Sequence, residues 1–292
     1  MSRTGGNSLT PSFLTEMARR SLEEDEARAD VTTQALVAPS CHGQGRVLAR
    51  GPLVVSGTDM AAAVFRTLDP SLQVTEMAPE GRALAAGDTA LAVSGSCASI
   101  LSGERVALNF LQHLCGIATL ARRATQLVHD SGVQLLATRK TLPGLRALER
   151  RAAEAGGFSP HRTSLGDGIL IKDNHIACAG SPAAAVATVR RQAESRFPVQ
   201  VEVDRLEDLE GVIAAGAEMV LLDNFSPSQV ATAVAAADSR VLLEASGGIT
   251  LENLQAYAAT GVHRISVGFI THSAPAADLS LDLQMTGAGH AA

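Results

Sequence analysis

Tryptophan is absent from this chain of 292 residues, tyrosine occurs once, and aromatic residues together make up only 3%. The core must therefore be built from Ala, Val, Leu and Ile, and the aromatic platforms on which nucleic-acid bases stack are missing. An excess of positive charge is missing too. The formal net charge is −6, which argues against non-specific nucleic-acid binding but leaves room for a local basic site. The four cysteines, Cys41, Cys97, Cys115 and Cys178, form no Cys-x-x-Cys pair, so neither a zinc cage nor a disulfide framework is expected. Buried or idle thiols in a reducing compartment are the simpler reading. No stretch is long and apolar enough for a membrane span. Residues 1–10 hold no apolar core of a signal peptide, so no membrane partner is expected and the location expected is cytoplasmic. What remains is a chain 46% hydrophobic and 18% charged, enough for a sizeable core in one large domain or two modest ones.

The order of local patterns divides the chain. Residues 11–28 read as a helix, with Pro11 in its first turn and Phe13, Leu14, Met17, Ala18 and Leu22 on one face. Strand-like runs follow at 45–49, 53–57, 74–76 and 89–94, punctuated by Gly51-Pro52, Pro79-Glu80-Gly81 and Gly87-Asp88, with a short helix at 60–68. This half reads as α+β with a small, mostly antiparallel sheet. A long helical pattern runs from Ser102 to about residue 130.

Beyond it the rhythm changes. Short β-branched or Leu-rich runs at 133–137, 168–171, 199–203, 219–222, 241–245 and 264–267 alternate with helical stretches at 182–194, 206–215, 227–237 and 251–260. Such alternation implies βαβ units and a parallel sheet, doubly wound or closed toward a barrel. Polar and glycine residues gather where the runs end: Thr138-Arg139-Lys140, Lys172-Asp173-Asn174-His175, Glu202, Asp223-Asn224, Ser246-Gly247-Gly248 and Gly268. Six strands contributing in turn favour the barrel, whose strand C-termini converge on one face.

The charges on that face define a ligand class. Arg139, Lys140, Arg162 and Lys172, with His161, suit a ligand carrying several anionic groups. Glu202 and Asp223 suit Mg²⁺ held through water, or a sugar diol. Glu202 lies between Val201 and Val203 and would be a bare buried charge unless it faced a polar mouth. Ser246-Gly247-Gly248, placed before a helix expected near Thr250, and Gly268 suit a phosphate.

These motifs, in this order, resemble the quinolinate phosphoribosyltransferase family. The resemblance rests on residues 104–112 with Gly116-Ile117-Ala118-Thr119, on Thr138-Arg139-Lys140-Thr141 and Pro143-Gly144-Leu145-Arg146, and on His161-Arg162. It continues through residues 170–175, Val201-Glu202-Val203, Leu222-Asp223-Asn224, residues 244–249, residues 265–268 and Thr271-His272-Ser273, covering about residues 11–283. It implies an N-terminal α+β sandwich domain over residues 1–115, with a C-terminal tail, 274–292, packing back on it. An incomplete parallel α/β (TIM-like) barrel is implied over 116–273. The implied reaction joins quinolinate to phosphoribosyl pyrophosphate with Mg²⁺, giving nicotinate mononucleotide, pyrophosphate and CO₂ in NAD biosynthesis. It further implies a homodimer in which Arg105 reaches across the interface.

On this basis Arg105, Arg139, His161, Arg162 and Lys172 face the two substrate carboxylates. Lys140 serves the phosphates, and Glu202 and Asp223 serve the ribose and the metal. Ser246, Gly247, Gly248 and Gly268 serve the 5′-phosphate. Ala137 stands where many members carry Asp, and Phe158-Ser159-Pro160 where many carry a Gly and Asn pattern. The rival readings are a paralogue acting on another substrate and a non-catalytic phosphate-binding barrel. The two carboxylates speak against the latter, because binding an anion gains nothing from them.

Overall fold

In the computed structural model, residues 9–192 and 197–286 are described. The chain forms two compact units, the first of residues 1–122, 143–156 and 273–292, the second of residues 123–142 and 157–272. Strands and helices are numbered along the chain.

The first unit holds α1 (Pro11–Glu24), α2 (Val31–Leu36), α3 (Thr58–Leu68), most of α4 (Cys97–Leu127) and α5 (Arg146–Ala155). Its strands are β1 (His42–Ala49), β2 (Leu53–Val54), β3 (Gln73–Met77), β4 (Ala83–Leu84), β5 (Thr89–Ser96) and β13 (Leu279–Met285). Thr10 caps α1 by accepting the Phe13 N–H at 3.2 Å, and Pro11 fills the first position. Leu14, Ala18 and Leu22 bury the stripe that the spacing predicts. The helix stops at Glu24 rather than near 28 because Glu26 turns left-handed (φ 48°), after which residues 27–29 make a tight 3₁₀ turn. The predicted strand at 53–57 shrinks to Leu53–Val54, paired with Ala83–Leu84. Gly57 (φ 90°) then bends the chain into α3.

The main sheet has the order β13-β1-β5-β3 and is antiparallel throughout. Its edge strand β13 carries Leu279, Leu281, Leu283 and Met285 in strict alternation with polar residues, a period-2 signal that predicts a strand. Gly43 faces Met285 and Ala49 faces Leu279 across it.

The second unit is one parallel sheet of seven strands: β6 (Gln134–Ala137), β7 (Ser159–Pro160), β8 (Ile169–Ile171), β9 (Val199–Val203), β10 (Met219–Asp223), β11 (Leu242–Ser246) and β12 (Arg264–Val267). The order is β7-β6-β12-β11-β10-β9-β8. Among the described residues β7 and β8 are not paired with each other, so the barrel is incomplete. Its helices are α6 (Asp173–Ala179), α7 (Pro182–Gln192), α8 (Asp208–Ala214), α9 (Pro227–Ala237), α10 (Leu254–Ala258) and α11 (Phe269–His272). The expected end of α7 at Glu194 lies outside the described residues. Apolar residues close one face of the sheet; Val199, Val201, Val203, Val220 and Leu222 are all buried. Ser226 caps α9 in a reciprocal pair with Gln229.

Close packing of the first unit makes a testable demand. A Cβ on Gly116 of α4 would lie 2.1 Å from the carbonyl oxygen of Pro275, a backbone atom that cannot swing aside. Gly116→Val is expected to cost about 1–3 kcal/mol of stability, read as a lowered thermal midpoint. An unchanged midpoint would contradict the close approach of the 273–286 segment.

Candidate active site

The C-terminal ends of the strands of the second unit enclose a cleft of about 650 Å³. Its lining includes Arg139, Lys140, His161, Arg162, Lys172, Glu202, Asp223, Ser246, Gly247, Gly248 and Gly268. Every expected site residue of the second unit thus meets in one place. Arg105 belongs to the first unit, where it is exposed on α4. A smaller cavity of about 300 Å³ shares His161 and Arg162, and is lined further by Gln134, Gln200, Met219 and Arg264 from the strands' other ends.

Strand alternation sets who faces the cleft. Glu202, Leu221 and Glu244 are cross-strand neighbours in register, and two residues further on Asp223 stands beside Ser246. Glu202 therefore does open onto a polar mouth. Its side chain is 13% exposed, and Oε2 accepts a hydrogen bond from Lys172 Nζ at 2.8 Å. Lys172 itself is 46% exposed, so the pair is half in water and contributes at most about 1 kcal/mol. Such a pair can be exchanged for a ligand at little cost.

The other cations lack partners of this kind. Among the described residues Arg139, Lys140 and Arg162 form no ion pair within 4 Å, and the buried Nε of Arg139 has no hydrogen-bond partner. An unsatisfied buried donor costs about 1–3 kcal/mol, a cost that an anionic ligand removes. Burial, and next the neighbouring Arg139, push the Arg162 guanidinium below its ordinary pKa. Arg162 Nη1 reaches the Gly168 carbonyl at 3.3 Å.

Asp223 shows the opposite strain. Burial first, and then the Glu202 carboxylate, raise its pKa above the usual Asp value, against the pull of Lys172 and Lys140. Asn224, in a left-handed conformation (φ 58°) that Asn tolerates, donates to Asp223 Oδ2 at 2.7 Å. Mg²⁺ takes one or two carboxylates together with water and substrate phosphates. Glu202 and Asp223 fit that donor set. Among the described residues no group of three or more His, Cys, Asp or Glu forms a metal cage, so the pair would hold the ion only together with a phosphorylated ligand.

The diglycine turn differs from expectation in one respect. The helix after it begins at Leu254, not near Thr250. The Asn253 side chain accepts the Thr250 N–H at 2.8 Å and donates to the Gly248 carbonyl at 3.0 Å, holding residues 248–253 as a turn. Gly247 (φ 89°) and Gly248 (φ 61°) are both left-handed, and a Cβ on Gly247 would strike Asn224 Oδ1 at 2.2 Å. What the turn offers an anion is therefore glycine backbone rather than a helix N-terminus. A Cβ at Gly268 would meet Lys140 Cδ at 3.1 Å and His272 Nε2 at 3.2 Å, so this glycine lets two basic side chains converge.

Two lining residues lie in motifs of the sequence but carry no expected role. His272 is one. The other is Glu244, 1% exposed and hydrogen-bonded to Gln200 and Ser266. Its signal was present: Glu244 interrupts an apolar run as Glu202 does.

An open parallel barrel with cations and carboxylates facing one strand-end cleft defines an enzyme for a phosphorylated, multiply anionic substrate. Comparison with known proteins gives the family. Residues 30–115 match the model of the quinolinate phosphoribosyl transferase N-terminal domain, and residues 117–282 that of the C-terminal domain. A nicotinate-nucleotide pyrophosphorylase (carboxylating) of Mycobacterium leprae is 41% identical over 91% of this chain and 95% of its own. The one from Rattus norvegicus is 37% identical over 96% of this chain and 94% of its own. The solved nicotinate-nucleotide pyrophosphorylase of Francisella tularensis superposes with a TM-score of 0.90 at 38% identity, covering 95% of this chain and 98% of that one. The chain belongs to the quinolinate phosphoribosyl transferase family.

The raised Asp223 yields a prediction whose sign is fixed. A carboxyl whose pKa is higher in the folded state favours folding when protonated and opposes it once ionised. Asp223→Asn is therefore expected to raise the thermal midpoint at pH 7.5, with the gain vanishing as pH falls through the Asp range. A midpoint lowered at pH 7.5 would contradict the shift.

Proposed function

We propose that this chain is a carboxylating nicotinate-nucleotide pyrophosphorylase. It transfers the phosphoribosyl group of phosphoribosyl pyrophosphate to quinolinate and releases pyrophosphate and CO₂, leaving nicotinate mononucleotide. The observation that carries the reading is the strand-end cleft, where unpaired cations surround two carboxylates beside a diglycine turn, in a chain of this family.

The residues divide the work by charge. Arg139, Arg162 and Lys172 take the two ring carboxylates, Arg139 with an Nε that is otherwise unsatisfied. Lys172 leaves Glu202 to do so, which frees Glu202 for the ribose. Lys140 lies against Gly268 and neutralises phosphate charge. Ser246, Gly247, Gly248 and Gly268 seat the 5′-phosphate on backbone N–H groups. Glu202 and Asp223 bind the ribose hydroxyls and would hold Mg²⁺, which would supply charge neutralisation to the pyrophosphate.

The ring nitrogen attacks the sugar carbon as the pyrophosphate bond to that carbon breaks. Positive charge grows on the sugar in that step, and the two carboxylates stabilise it. The protein supplies no nucleophile; fixing the two substrates in line does the work of bringing them together. The nitrogen is then cationic, so the adjacent ring carbon can keep the electron pair left by departing CO₂ and take up a proton. Arg105 acts in this scheme from the second subunit of a homodimer, completing the carboxylate site of its neighbour.

The direct test offers quinolinate or nicotinate in parallel, with phosphoribosyl pyrophosphate and Mg²⁺. Nicotinate mononucleotide and CO₂ in equal amounts from quinolinate alone are expected. Turnover of nicotinate instead would move the protein to a paralogous activity. Arg139→Ala is expected to lower kcat/KM by about 10²–10³-fold with the fold intact; near-native activity would remove it from the site. Mixed Arg105→Ala and Lys172→Ala dimers should regain activity on subunit exchange, and no rescue would count against a shared site.

A further inference from the structure

Two cysteines that the proposed reaction does not use lie side by side in the first unit. Cys41 stands one residue before β1, and Cys97 follows β5 directly as the first residue of α4. The antiparallel register of the two strands pairs His42 with Ser96 and Gly43 with Gly95. One step further, that register sets Cys41 opposite Cys97, and the Cys97 N–H donates to the Cys41 carbonyl at 2.9 Å. Residues opposed in an antiparallel pair have Cα atoms about 4.5–5.5 Å apart. A disulfide spans about 4.4–6.8 Å between Cα atoms, so the backbone spacing suits one. Both thiols are free.

The side chains turn the same way. Alternation puts positions 41 and 43 on one face of the chain. Position 43 is glycine, and a Cβ there would lie 2.9 Å from Cys97 Sγ. The Cys97 sulfur thus occupies the face that Cys41 shares. Burial, and next the Cys41 thiol, push the Cys97 thiol up to about 11, so the two sulfurs sense each other. Cys97 is 1% exposed, whereas Cys41 is half-buried and keeps contact with solvent.

We propose that Cys41 and Cys97 are an oxidation site of the first unit, where a peroxide converts the pair into a disulfide that staples the entry of β1 to the first turn of α4. The Cys41 thiolate attacks one peroxide oxygen. An S–O bond forms, the O–O bond breaks, and the departing hydroxide takes up the proton that the thiol released. The Cys97 sulfur then attacks the Cys41 sulfur. The S–S bond forms, the S–O bond breaks, and hydroxide leaves with the Cys97 proton as a second water. Two thiols and one peroxide give one disulfide and two waters; each sulfur loses one electron and the peroxide gains two. The order follows from exposure, since Cys41 is the member of the pair that meets solvent.

The bond closes the loop that runs from β1 through β5, which restricts the unfolded chain. The two residues are already opposed, so the native backbone need not move. Neither cysteine lines the cleft. The start of α4 is held where it already lies, so Arg105 further along that helix is undisturbed. The staple is a stabiliser and not an off-switch.

The test uses Cys178→Ser protein, which lacks the exposed thiol that could link two chains. Hydrogen peroxide is added in small excess, and tryptic peptides are separated without reductant. A linked pair of peptides holding Cys41 and Cys97 is expected, lighter by two hydrogens than the sum of its parts and split by dithiothreitol. The thermal midpoint should rise by about 5 °C with the link and fall back on reduction. A second protein that also carries Cys41→Ser should show neither change. Peptides without the link, whether unaltered or carrying added oxygen on Cys41, would overturn the proposal. So would a linked pair whose midpoint does not rise, because the bond would then strain the fold. Turnover should stay within about twofold on oxidation. Its loss, restored by dithiothreitol, would make the pair a switch and overturn the stabilising role. This last reading alone rests on the proposed activity; the link and the midpoint are read without substrate.

Discussion

Side-chain alternation along parallel strands is the constraint on which the second unit depends. Parallel sheets are usually buried on both faces and read as continuous apolar runs. Here one face keeps that character, through Val199, Val201, Val203, Val220 and Leu222. The strands carry Gln200, Glu202, Asp223, Glu244, Ser246, Arg264 and Ser266 between those apolar positions. Charges on such a face must find partners, because an uncompensated buried ion costs several kcal/mol. The unit meets the demand in two ways. Glu244, deepest, is satisfied by Gln200, Ser266 and His161. The groups at the strand ends are left for the ligand.

That division explains the opposed shifts in the cleft. Arg162 is pushed down by burial and by Arg139, and Asp223 is pushed up by burial and by Glu202. Each is a group held next to its own kind in a partly dry place. Such arrangements cost stability in the resting protein and mark sites prepared for a countercharge. Under the proposed function, a substrate with carboxylates for the arginines, and a sugar that gains positive charge for the carboxylates, would satisfy both sets at the moment of reaction. Lys172 and Glu202 neutralise each other in the interval, through a half-exposed contact that is cheap to break.

Much of this could be read from the residues. The six strand runs expected in the second unit lie within a residue or so of their observed places, because short apolar runs bounded by glycine and polar groups leave little choice; the two-residue β7 (Ser159–Pro160) is not among them. The strand-end cluster followed from them. The first unit was less legible where its structure depends on distant partners. Leu53–Val54 is a strand only as far as Ala83–Leu84 pairs with it, and α1 ends where Glu26 turns left-handed, which composition does not announce. The helices at 146–155 and 173–179 are absent from the expected elements. Strand β13 is absent from the expected elements although its alternation is plain, and Glu244 stands in an expected motif without an expected role. A helix at 251–260 is legible but its late start at Leu254 is not, since the Asn253 side chain closes the preceding turn.

The most direct test of this account is equilibrium binding of quinolinate to the wild type, Arg139→Met and Glu202→Gln. The account predicts that Arg139→Met weakens binding at least about tenfold. It predicts that Glu202→Gln, which releases Lys172 from its only ion pair among the described residues, leaves binding as tight or tighter while turnover collapses. Weakened binding in Glu202→Gln with unaffected binding in Arg139→Met would contradict the division of the cleft into cations for the ring carboxylates and carboxylates for the sugar.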